Sequence, residues 1–120
     1  MTGTRTDPAL QRVARLRGVR CALLTSVEDA LPIESASHVD VDVDQLAALA
    51  ASLFRAAVHA ARAAGHGAVH RLLVDASDGR LAVEGQMGLL VVALAERETQ
   101  PGPLRLSLQR ALTDVTQRST

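Results

Sequence analysis

Apolar positions recur every three to four residues in some stretches and fill or alternate along shorter ones elsewhere, and the changes of period divide the chain into eight predicted elements. Asp7-Pro8 reads as a helix start, with Asp7 as N-cap and Pro8 in the first turn. Leu10, Val13, Ala14 and Leu16 supply its apolar side, and Gly18 stops it. The run VRCALLTS, Val19 to Ser26, is apolar on both faces and predicts a strand. Val27-Glu28-Asp29-Ala30 reads as a hairpin connection to a second strand, Leu31 to Ser37. Pro32 cannot donate to a ladder, so this strand belongs at a sheet edge.

Asp40, Asp42 and Asp44 then alternate with valines and lead into an Ala-rich helix from Gln45 to Ala64, with Asp44 the preferred cap. Leu46, Leu49, Leu53, Ala57, Ala60 and Ala64 recur at helical spacing as its apolar stripe, and Gly65 and Gly67 end it. Three strands follow. Val69 to Ala76 turns through Ser77-Asp78-Gly79, with Gly79 expected at positive φ, into Arg80 to Gln86. Met87-Gly88 turns into Leu89 to Ala95, which is apolar throughout and so belongs inside a sheet covered on both faces. After a polar loop, Pro103 starts a last helix with the stripe Leu104, Leu108, Ala111, Leu112 and Val115. The order α-β-β-α-β-β-β-α, with tight turns, predicts an antiparallel α+β sheet. The long helix crosses one face and the terminal helices cover the other. One domain over residues 1–120 is expected, with an ordered core at about 8–115.

Composition narrows the function. The 120 residues are 48% hydrophobic, which excludes a disordered chain, yet Phe54 is the only aromatic. A sheet that stacks RNA bases needs aromatic platforms, so that class is disfavoured. Thirteen basic residues balance 13 acidic ones, leaving no surplus charge for a phosphate backbone, so no nucleic-acid partner is expected. Every basic residue is Arg, a usage that suggests a GC-rich genome and carries no mechanism. Cys21 is the only cysteine, so no intrachain disulfide can form. The start, MTGTRTDPALQR, lacks an apolar signal core, and the run Gly88 to Ala95 is too short to span a bilayer. A cytoplasmic location without membrane insertion is the expectation.

Candidate chemistry is sparse. His38, His59, His66 and His70 lack the spacing of a zinc cage, and no cysteine pair accompanies them. Cys21 in a strand reads as a buried hydrophobe, since a nucleophile needs an activating base and exposure. Ser26 and Ser77 lack the Gly-x-Ser-x-Gly elbow. Gly85-Gln86-Met87-Gly88 joins two strands without a Lys or a following helix, so it is no phosphate loop. The aspartates before the long helix lack the glycine and distal Glu of a calcium loop. No enzyme activity, no catalytic residue, no metal and no cofactor are expected.

The strand from Gly18 through VRCALLTS, the segment LPIESAS, the acid-capped helix DQLAALAASLFRAAVHAARAAG and the run VHRLLVDASDGRLAVEGQMGLLVVAL, with the final amphipathic helix, resemble the roadblock/LC7 family from about Leu10 to Leu112. The strand aromatics common in that family are absent here. The resemblance implies a five-stranded antiparallel sheet of the profilin-like, longin-like kind, with one helix on one face and two on the other. It implies a cytoplasmic homodimer that binds and regulates a small Ras-like GTPase in bacterial signalling. The alternative it leaves open is a non-catalytic adaptor of the dynein-light-chain type, with no effect on nucleotide turnover.

Two surfaces follow as expectations. Arg55, His59 and Arg62 lie off the Leu/Ala stripe of the long helix and are the expected GTPase-binding face. Plain solubility is the competing reading of those arginines, and an arginine finger would have to reach another protein's phosphate site. The strand VHRLLVDA has a hairpin neighbour on one side only, and such an edge invites a second chain. Val69, Arg71, Leu73 and Asp75, with Ala57 and Ala61 on the helix, are the expected dimer interface. A monomer whose edge is blunted by Arg71 and Asp75 is the alternative.

Overall fold

A strand with no polar side has to be covered twice, and the chain is arranged to do so around Leu89–Ala95. The computed structural model describes residues 8–118, so the expected Asp7 cap lies outside the described residues. Within them the elements are α1 (Pro8–Ala14), β1 (Val19–Ser26), β2 (Pro32–Ser37), α2 (Val43–Ala63), β3 (Arg71–Ala76), β4 (Gly79–Gln86), β5 (Leu89–Ala95) and α3 (Pro101–Arg118). The strands form one antiparallel sheet in the order β2-β1-β5-β4-β3. The apolar β5 is central and the proline-bearing β2 is an edge, as the side-chain pattern required.

Alternation divides the core into two layers. Val91, Ala93 and Ala95 of β5 pack with Ala22 and Leu24 of β1 under α1 and α3, against Leu10, Val13, Leu104, Leu108 and Ala111. Leu90 and Val92 point the other way and join Leu23 and Val83 beneath Ala47, Ala50, Ala51 and Phe54 of α2. The small alanines let α2 lie close to the sheet, and Phe54 supplies the bulk. Gly85 makes room for that ring: a Cβ there would sit 2.5 Å from Phe54 Cζ and 2.9 Å from Leu90 Cδ2.

Several local expectations are corrected. The α2 cap is Asp42, whose Oδ1 accepts the Gln45 N–H at 3.0 Å; Asp44 lies in the first turn, where its charge still complements the dipole. At the other end Gly65, at φ +73, closes the helix, with Gly65 N–H on Arg62 O and His66 N–H on Ala61 O. Gly79 is not at positive φ. A Cβ there would meet Ala95 O at 3.0 Å, so it is glycine for clearance rather than for conformation. The Met87-Gly88 turn does have two positive φ values, 54 and 80, as a type I′ hairpin demands. The strand expected from Val69 begins at Arg71, and the last helix starts at Pro101 instead of Pro103.

The largest correction concerns α2. The sheet-facing stripe is Ala47, Ala50, Ala51 and Phe54, whereas Leu49 and Leu53, assigned to the core by spacing, are 53% and 41% exposed.

The Phe54–Gly85 contact sets a stability test. Gly85→Ala should destabilise the domain by about 1–3 kcal/mol through overpacking, and Phe54→Ala by about 3–5 kcal/mol through the cavity it leaves. In urea denaturation the double variant should cost clearly less than the sum, because each change relieves the other.

Candidate functional site

α2 carries more apolar surface than the sheet can use. Of its 21 residues only Ala47, Ala50, Ala51 and Phe54 are buried. At about 100° per residue, Leu46, Leu49, Leu53, Ala57, Ala60 and Ala64 form a second stripe roughly 100° round the helix from the buried one. Arg55, His59 and Arg62 lie roughly as far round on the opposite flank. The helix thus presents three faces: one packed, one apolar and open, one basic.

The basic flank faces the turns at one end of the sheet. Arg55 Nη1 donates to Val27 O in the β1–β2 connection at 2.6 Å. Beyond it, Val58, His59 and Arg62 border a shallow groove of about 570 Å³ that reaches Val69, His70 and the exposed Met87 in the β4–β5 turn. The structure therefore brings the three residues of the expected partner face together along one groove, with Arg55 already held by a backbone carbonyl.

The outer strands are also open on the α2 side. α2 packs over β1, β2 and β5, so the residues of β3 and outer β4 on its side of the sheet are only partly covered: Leu72 and Leu81 are half-buried and Val74 is exposed. Among the described residues no strand pairs with the outer edge of β3. Gly85 N–H donates to His70 O at 2.8 Å, and bonded pairs alternate along an antiparallel ladder. With Leu72 opposite Val83 and Val74 opposite Leu81, those are the bonded pairs, so Arg71, Leu73 and Asp75 direct their N–H and C=O groups to the free edge.

Of the six expected interface residues, Arg71, Leu73 and Asp75 lie on β3, Val69 just before it, and Ala57 and Ala61 on α2, and they split between the faces of the sheet. Arg71, Leu73 and Asp75 project to the α1/α3 side with Ala82, while Val69 and the half-buried Ala57 and Ala61 lie on the α2 side. The α2-side positions of the strand itself are Leu72 and Val74, opposite Val83 and Leu81. Leu49 and Leu53 were missed as surface residues. The signal that identifies them is the excess: a helix with two apolar stripes has one more than a single sheet can bury.

One buried charge adjoins the edge. Glu84 on β4 is 5% exposed and is gripped by Arg71 through Nε at 3.2 Å and Nη2 at 3.1 Å. Asp75 is exposed and reaches Arg80 Nε only at 3.9 Å. Cys21 is buried, and desolvation pushes its thiol pKa up, against a smaller lowering by the Ser37 hydrogen bond, so it is held as the unreactive thiol. Among the described residues no group of three or more His, Cys, Asp or Glu is placed to hold a metal ion.

A family model described as the Roadblock/LC7 domain matches residues 6–94. No curated protein matches the chain. Among solved structures, a Roadblock/LC7 domain from Streptomyces avermitilis superposes with a TM-score of 0.85 at 24% identity, over 96% of this chain and 98% of that one. Myxococcus xanthus MglB gives a TM-score of 0.81 at 19% identity, over 91% of this chain and 89% of that one. A structure described as MglB with tetrameric arrangement gives 0.78 at 22% identity, over 86% and 79% of the two chains. These are likenesses of fold.

Because Glu84 is buried against one cation, Arg71→Ala should leave a desolvated acceptor without its partner and cost about 1–3 kcal/mol in thermal or urea unfolding. Arg71→Ala combined with Glu84→Leu should recover most of that loss, since removing both partners removes the unpaired charge.

Proposed function

The chain belongs to the Roadblock/LC7 domain family, and from that premise we propose that it acts as a cytoplasmic homodimer that binds a small Ras-like GTPase and regulates its hydrolysis or location. The observations that carry the self-association are the second, exposed apolar stripe of α2 and the unpaired edge of β3 among the described residues. Neither is covered among the described residues, and a two-fold pairing of β3 with β3 would bring both stripes to one side of the joined sheet. The tetrameric arrangement described for one MglB relative supports association as the working state.

The GTPase reading rests on the family resemblance and on the groove along Arg55, His59 and Arg62. The arginines of that groove lie on the flank of α2 away from the self-association stripe, while its far wall, Val69 and His70, adjoins the start of β3. Arg55 is tethered to Val27 O, which argues against a long-reaching arginine finger and for a docking role. No group of the chain is required to carry out chemistry; regulation would come from stabilising one state of the partner.

Light scattering at micromolar concentration should give a dimer mass. Leu73→Pro removes an N–H that points to the free edge and leaves the β3–β4 bonds intact, so it should yield a folded monomer by circular dichroism. A monomer mass for the wild type ends the self-association reading. For the partner, a cognate GTPase should bind in one nucleotide state in preference to the other, and Arg62→Glu with Arg55→Glu should weaken that binding while the dimer persists. Arg62→Glu alone is the cleaner variant, because Arg55→Glu also removes the bond to Val27. If the double reversal binds as tightly as the wild type, the groove is not the docking face. If no GTPase binds in any nucleotide state, the adaptor reading replaces this one.

A further inference from the structure

We propose that the free edge of β3 specifies its own pairing register, with the two-fold axis of the dimer at Leu73 and with Arg71 of each copy joining its own buried Glu84 to Asp75 of the other. The inference rests on the self-association reading and fixes the geometry of that association.

The backbone restricts the choice first. Arg71, Leu73 and Asp75 present the outward N–H and C=O groups, so only these odd positions can form bonded pairs with a second β3. Two copies related by a two-fold axis pair antiparallel, and the axis then passes through one residue between 71 and 75. Side chains directly opposite each other share a face, so charge decides among the remaining registers. An axis at Arg71 sets Arg71 against Arg71, and an axis at Asp75 sets Asp75 against Asp75; both oppose like charges. An axis at Leu72 puts Arg71 opposite Leu73, and an axis at Val74 puts Asp75 opposite Leu73, leaving a charge against an apolar chain. With the axis at Leu73, each Arg71 faces an Asp75, the two Leu73 side chains meet, and every outward group from 71 to 75 is paired.

The charges are prepared for this. Glu84 occupies two of the five N–H donors of Arg71, fixes the guanidinium on the α1/α3 face, and leaves the others for a second acceptor. Asp75 is 60% exposed in its side chain and meets Arg80 only at 3.9 Å, so it is open to that role. Leu73 is 50% exposed and lies between them. The residues that look like edge protection on one chain become the complementary pair of two.

Disulfide trapping on the full chain reads the axis directly. Arg71→Cys, Leu72→Cys, Leu73→Cys, Val74→Cys and Asp75→Cys are oxidised in parallel, with the wild type as control for the buried Cys21. With the axis at Leu73, the two Leu73 Cα atoms are about 5.5 Å apart, inside disulfide range. Residues 72 and 74 are then offset from their own copies by roughly 7 Å along the strand, and 71 and 75 by roughly 13 Å. Leu73→Cys should give at least about tenfold more covalent dimer than any of the other four. Asp75→Arg should raise the dimer dissociation constant by about tenfold, as expected for two partly exposed ion pairs. A trapping maximum at another position, or no maximum in a chain whose wild type is a dimer by light scattering, overturns the register and leaves self-association standing. A monomeric wild type overturns both. An unchanged dissociation constant for Asp75→Arg removes Asp75 from the contact and with it the proposal.

Discussion

The architecture depends on the requirement that β5 be covered on both faces. Its side chains are apolar on both sides, so water must be excluded from both, and only a three-layer arrangement does that. β1 and β4 flank it and satisfy its backbone. α2 closes one face and the pair α1 and α3 the other. The edges of the sheet are what remains, and they differ: β2 carries Pro32, while β3 has no proline and, among the described residues, no strand beyond it.

The α2 layer uses only one side of its helix. Alanines at 47, 50 and 51 allow a close approach to the sheet, and the ring of Phe54 fits only because residue 85 has no Cβ. That close, narrow seat uses one stripe of the helix. The leucines at 49 and 53 stay outside it and are exposed. The proposed function rests on surfaces of the scaffold: the apolar flank of α2 with the free edge of β3, and the groove along Arg55, His59 and Arg62.

The ionic pair at that edge links core and surface. Glu84 is buried on β4 and would be costly alone; Arg71, on the edge strand, neutralises it while remaining 41% exposed itself. A charge held this way is ordered before any partner arrives, which lowers the entropy lost when a further contact is made.

The sequence by itself determined the elements, their order, the central place of β5 and the edge place of β2. These follow from features that act locally or absolutely: an unbroken apolar run, a proline without a donor, a two-residue turn with glycine. It also carried the family resemblance and the candidate residues Arg55, His59 and Arg62, which helical spacing alone puts on one flank. Only the tertiary structure decided which stripe of α2 is buried, because Ala47-Ala50-Ala51-Phe54 and Leu46-Leu49-Leu53-Ala57 have the same period, and the more hydrophobic one is the one left outside. It also decided that Gly79 serves clearance against Ala95, that Asp42 and not Asp44 caps the helix, and which face each residue of β3 takes. Those outcomes depend on how closely two layers approach and on where a strand's first bonded pair falls, and both are set by atoms far apart in the chain.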